Sequence, residues 1–216
     1  MSQLRQVKRF ILIQVFQKRN LEINNLAMLN LKNDYIIGEN SLIEEMCQIG
    51  IKCHPNELQI KTIIGHNAHI RSGTYIYEGN IIGDNFITGN KVNIRESNVI
   101  GDNVSIGTLS IIEHNINIES NVRIHSNVFI PEFTVLKKGC WIGPGVVLTN
   151  AKYPNRSDTK ENLDAPTISE KAIIGANATI LPGVKVGKGS IVGAGSVVVS
   201  DIDDNKIVMG NPARPQ

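Results

Sequence analysis

From Ile64 to Leu148 every sixth residue is aliphatic except Thr88, and the period returns at Ile168, Ile174, Ile180, Val186, Val192 and Val198. A six-residue period fits neither a helix face at 3.6 residues nor a lone strand at 2. It is the mark of a stacked solenoid in which each hexad is one short strand plus one corner. The third residue after the aliphatic one is Asn or Gly in fourteen of nineteen slots, the two types that best tolerate positive φ. The slot after that is mostly small or β-branched, as at Ala68, Val104 and Val128, and reads as inward-facing. Three hexads make one triangular coil. About seven coils at strand spacing give an all-β prism roughly 33 Å long.

The period assigns residues 58–200 to the solenoid, with a loop at 149–167. Leu148 and Ile168 lie twenty residues apart, two more than a full coil of eighteen, and the intervening stretch carries Pro154, Pro166 and six charged residues. A loop of this length inside a regular array reads as functional. Residues 1–57 show no hexad period and are expected to form a mixed N-terminal cap over the first open coil. Within the cap, 5–21 reads as a short amphipathic helix, and 33–51 is open between strands and a helix through 41–48. Residues 201–216 form a tail.

Composition removes several function classes. A net charge of +2 and only 5% aromatic residues offer no basic, aromatic-laced surface for nucleic acid. Cys47, Cys53 and Cys140 are odd in number and lack CxxC spacing, which points to a reducing compartment. No run approaches a membrane span. Lys18 and Arg19 follow the apolar stretch at 10–16 where a signal peptide needs small residues. A soluble cytoplasmic protein with no membrane partner is expected.

These repeats resemble the hexapeptide-repeat acyltransferases. The resemblance implies a left-handed parallel β-helix, a homotrimer, and acetyl-CoA lying in a groove between subunits. The segment from Trp141 through Leu148-Thr149-Asn150 to Tyr153-Pro154-Asn155-Arg156-Ser157 looks like the nucleotide-linked 3-amino-sugar N-acetyltransferases, with Leu148 where they carry Phe. The implied activity is transfer of an acetyl group from acetyl-CoA to the amine of a small-molecule amino sugar in surface polysaccharide biosynthesis. Rivals are sugar or antibiotic O-acetylation and, outside enzymology, a non-catalytic β-helix scaffold.

Asn150 is the first candidate catalytic residue: it sits two places after Leu148, so the corner rule does not account for it. By the resemblance its side-chain oxygen orients the acceptor amine. His125 is the second, a general base in a slot where Gly is common. His66, His69 and His114 read as surface residues, and His54 gets no functional weight. Trimeric carbonic anhydrases of this fold need a histidine pair five residues apart; the gaps of 3, 45 and 11 from His66 fail that test, so no metal is expected. Tyr153 stands where the sugar O-acetyltransferases carry a catalytic His, which favours an amine acceptor. Tyr153, Arg156 and Lys152 are candidate substrate-binding residues, the cations suiting a diphosphate. Gly175, Ala176, Asn177, Ala194 and Arg214 are the candidate acetyl-CoA contacts.

Overall fold

The computed structural model describes residues 34–53 and 60–216. Each hexad forms a two-residue strand whose second residue points inward, as in Val99–Ile100, Ser105–Ile106 and Ile111–Ile112. Ile100 pairs in parallel with Ile82 on one side and Ile118 on the other, eighteen residues away each way. Consecutive hexads therefore fall on three different sheets, here A, B and C, of eight, ten and eight strands. This is the left-handed parallel β-helix that the repeat implies. Among the described residues it has eight complete coils and part of a ninth, against the seven expected.

The core is a column of the hexad aliphatics, with Ile70, Ile76, Ile94, Ile130 and Leu148 at 0% exposure. The small inward corner residues fill the space between them, and two such slots hold polar residues. Asn80 Oδ1 accepts from Asn98 N at 3.0 Å, Asn98 Oδ1 accepts from Ile116 N at 2.7 Å, and both amide groups donate to local carbonyls. Buried amides bonded this fully cost the fold little. The corner rule holds without exception: all nineteen slots have positive φ, including Lys91, Ser97, Leu109, Phe133 and Lys171, which are neither Asn nor Gly.

The expected boundaries shift in three places. Coiling begins at Tyr35, not at 58: Tyr35–Ile37, Leu42–Ile43 and Gln48–Ile51 open the three sheets, so 41–48 is strand and turn, with no helix. The remainder of the cap assignment, at 1–33 and 54–59, lies outside the described residues. Tyr35 pairs with Thr62, twenty-seven residues on instead of eighteen, which hides the period behind an added excursion of nine. Its two ends are tied by the buried carboxylate of Glu78, which accepts from Cys53 N at 2.9 Å and Ile60 N at 3.2 Å.

The second shift concerns the loop. Leu148 ends a strand of sheet C and Ile168 a strand of sheet A, which a regular coil would place six apart. Leu136 pairs with Ile168, thirty-two residues on, so fourteen residues are inserted, not the two inferred from phase. Third, the tail is part of the helix. Ile202 bridges to Val186, Ile207–Gly210 extends sheet B, and Ala213–Pro215 folds back antiparallel on it through a cis Asn211–Pro212 peptide.

Candidate active site

Both interruptions leave the prism at the same edge, where sheet C turns into sheet A. Residues eighteen apart stack along it in successive coils, and one such column reads Glu78, Glu96, His114, Glu132, Asn150. Asn150, at the root of the projecting loop, is only 8% exposed. Its Nδ2 donates to Glu132 Oε2 at 2.8 Å and to the Glu132 carbonyl at 3.2 Å. Two acceptors on that side fix which way the amide faces. Oδ1 accepts from no described residue. The Asn150 carbonyl accepts from Asp164 N at 2.8 Å, and Gly183 N donates to the Asp164 carbonyl at 2.8 Å, so the loop's exit is stapled to its entry. Asn150 is thereby part of the scaffold and not of the loop tip.

His114 stands two coils from Asn150 on the same column. Its Nε2 is 3.9 Å from Glu132 Oε1, its Nδ1 is 2.8 Å from Asn115 Nδ2, and its ring meets Phe133 edge-on at 5.8 Å. Glu132 thus joins the histidine to the asparagine, one carboxylate oxygen toward each. One coil further along, Arg95 pairs with Glu96 at 2.9 Å, lies 3.6 Å from Glu113, and covers the Tyr77 ring at 5.2 Å. Burial raises the Glu113 carboxyl above its usual range, against the pull of Arg95.

The histidine chosen from sequence lies elsewhere. His125 follows a strand of sheet B and so stands on the B–C edge, one full face from Asn150. Within this chain the expected Asn150–His125 pair does not form, because the two residues follow strands of different sheets. The His125 ring packs on Trp141 at 4.6 Å, and its Nε2 is buried without a hydrogen-bond partner. Burial, and then Arg123, push its pKa below 6.5. His114 was the residue mistaken for plain surface. The signal that marks it, and Glu132, is the eighteen-residue ladder leading to Asn150.

The B–C edge also carries most of the expected donor contacts. His125, Gly143, Gly175-Ala176-Asn177 and Gly193-Ala194 stack along it, with little bulk and no acidic side chain. The glycines have a structural cause: a Cβ on Gly175 would lie 2.5 Å from Ala194 N, and one on Gly143 would lie 2.8 Å from Ala176 N. Arg214 sits apart on the final antiparallel strand, lining a cleft of about 590 Å³ with Ser200 and Lys206 at the C-terminal end of the prism. On the projecting loop, Lys152 and Arg156 flank the exposed Tyr153 ring at 5.6 and 5.8 Å. Arg156 is already paired with Asp158 at 3.1 Å, so the loop presents less free positive charge than its sequence promised. Among the described residues no cluster suited to a metal ion occurs, and no helix is long and apolar enough to cross a membrane.

A β-helix of hexads with one functional edge defines a class, and comparison with known proteins gives the same class. The bacterial transferase hexapeptide family (six repeats) matches residues 165–200, and the hexapeptide repeat of succinyl-transferase matches 98–131. The chain therefore carries the bacterial transferase hexapeptide repeat. More particularly, 47 residues, 22% of the chain, are 57% identical to 20% of a 2,3,4,5-tetrahydropyridine-2,6-dicarboxylate N-acetyltransferase of Clostridium perfringens. A galactoside O-acetyltransferase of Lactococcus lactis is 38% identical over 74 residues, 32% of this chain and 36% of the relative. The chain spans less than half the length of these relatives. Among solved structures, a UDP-N-acetylglucosamine acyltransferase from Bacteroides fragilis superposes with a TM-score of 0.53 at 18% identity, over 86% of this chain and 71% of the other, a likeness of fold alone.

Proposed function

We propose that the protein is a cytoplasmic, acetyl-CoA-dependent acetyltransferase acting on the amine of a nucleotide-linked amino sugar bound for surface polysaccharide. The observation that carries this reading is Asn150: its amide nitrogen is clamped by Glu132 while its oxygen is left open, beside a histidine–carboxylate pair. The oxygen accepts one N–H of the acceptor amine and aims the lone pair at the thioester. As the C–N bond forms, a proton of the amine passes to the His114–Glu132 pair, which titrates as one unit. The C–S bond breaks, the pair returns the proton to the departing thiolate, and the products are an amide and free thiol. Support for an acetyl donor comes from the two relatives matched in sequence, both acetyltransferases by name.

The homotrimer completes the site. With the B–C edge of one copy against the C–A edge of the next, the narrow column of Gly175, Ala176, Asn177 and Ala194 faces Asn150 across a groove. His125 then enters the site from the neighbouring copy, and Arg214 reaches the nucleotide end of the donor. The loop residues Lys152, Tyr153 and Arg156 contact the acceptor.

A second reading has an observation of its own. A histidine beside a carboxylate is what a hydroxyl acceptor needs, since its pKa is far above neutrality, and one matched relative is named as an O-acetyltransferase. A thiol-release assay with matched amino and hydroxyl sugars, free and nucleotide-linked, separates the two. Faster turnover of the amine is expected; the reverse preference assigns O-acetylation, and no release with either removes the enzyme reading. Asn150→Ala is expected to lower kcat at least about tenfold, ~1.4 kcal/mol of barrier, with an unchanged fold.

A further inference from the structure

Phe133 occupies a corner slot with φ of 67°. Of the nineteen slots that require this left-handed backbone, fourteen hold Asn or Gly. A large side chain there is an outlier that asks for a reason. The other exceptions need little explanation: Lys91 and Lys171 reach into solvent, Ser97 is small, and Leu109 leaves its side chain 52% exposed. Leu109 shows that the slot does not bury an apolar side chain by itself. Phe133 is nonetheless half-buried, because its ring stands against the His114 imidazole at 5.8 Å and 86°.

The strained corner is also stiffened. Pro131 presets the backbone at its start, and Thr134 Oγ1 donates to the Pro131 carbonyl at 2.7 Å. Between them Glu132 binds Asn150 and Phe133 meets His114, so one four-residue corner touches both ends of the site. An edge-to-face contact gains about as much as the left-handed backbone costs, so stability alone gives no reason for Phe here.

We propose that Phe133 is a positioning residue: its ring holds the His114 imidazole turned toward Glu132, and the backbone strain is the cost of that placement. The inference rests on the reading of His114–Glu132 as the proton acceptor given above.

The test compares the intact protein with Phe133→Gly, Phe133→Tyr and Lys171→Gly, the last a corner on the A–B edge, which has no part in the site. Phe133→Gly should melt higher than wild type, since Gly suits the slot, yet lose about tenfold or more in kcat with KM for acetyl-CoA unchanged. Phe133→Tyr, which keeps the ring, should retain most of the rate. Lys171→Gly should gain a similar increment in melting temperature at wild-type kcat. Wild-type turnover by Phe133→Gly, or a loss in Phe133→Tyr as large as in the glycine variant, would overturn the proposal. So would a fall in melting temperature that accompanies a loss of acetyl-CoA affinity.

A readout independent of turnover keeps this separate from the functional reading. In a proton–nitrogen correlation spectrum of the side chains, His114 should show one ring environment in wild type and exchange-averaged signals in Phe133→Gly. Unchanged His114 signals would sink the positioning role even if the enzyme is active. If no amine is acetylated by wild type, the functional reading fails while the spectrum still decides the contact.

Discussion

At the scale of single residues, backbone conformation and chemistry compete for the same slots. The corner demands positive φ, and five side chains other than Asn or Gly accept it. Leu109 does so with more than half its side chain in water and no aromatic partner, so its burial offsets little of the strain. Leu109→Asn is expected to stabilise the protein by about 1 kcal/mol, read as a rise of a few degrees in melting temperature; a lower melting temperature would show that Leu109 packs against something. Asn150 stood out in the sequence because it broke the rule that its neighbours obey. His114 and Glu132 break no rule: each occupies an ordinary outward corner position and becomes informative only when coils are laid over one another at eighteen-residue steps.

At the scale of elements, the three edges of the prism have different characters. The A–B edge is a polar ladder in which Asp84 accepts from His66 N at 2.8 Å and Asp102 accepts from Asp84 N at 2.9 Å. The B–C edge is narrow because successive coils leave no room for a Cβ. Gly175→Ala should therefore destabilise the fold by about 1–3 kcal/mol, whatever it does to donor binding. A variant that melts like wild type and loses only acetyl-CoA affinity would give Gly175 a purely ligand-facing role.

His125 on the same edge makes a pH prediction. Its folded pKa lies below the ordinary 6.5, so the fold favours the neutral ring. The stability this implies is present above the unfolded value and is lost as pH falls through it toward the folded value. Replacing the ring by Gln removes that dependence. The melting temperature of His125→Gln should decline less than that of wild type between about pH 7 and about pH 5; equal declines would show that other groups govern the acid limb.

At the scale of the molecule, the solenoid is a rigid rod of nearest-neighbour contacts, and its two excursions are additions that the coils tolerate. Deleting residues 151–164 removes the fourteen inserted residues and restores the six-residue step from Leu148 to Ile168. With Ala165→Gly at the restored corner, the melting temperature should stay within a few degrees of wild type. Transfer to the acceptor should be lost while acetyl-CoA still binds. A collapse of the fold would mean that the loop supports the prism and is not merely carried by it.

Periodicity alone was enough to define the repeating unit, the inward column and the sign of φ at every corner, because each is a local property repeated every six residues. It was blind where the repeat is interrupted: the first coil was hidden by nine extra residues before Thr62, and the last lies beyond a step shortened after Val198. Only the folded chain decided which distant residues share an edge. That assignment depends on the summed length of every coil and insertion between them, and so it placed His114 and Glu132 beside Asn150 and sent His125 to another edge.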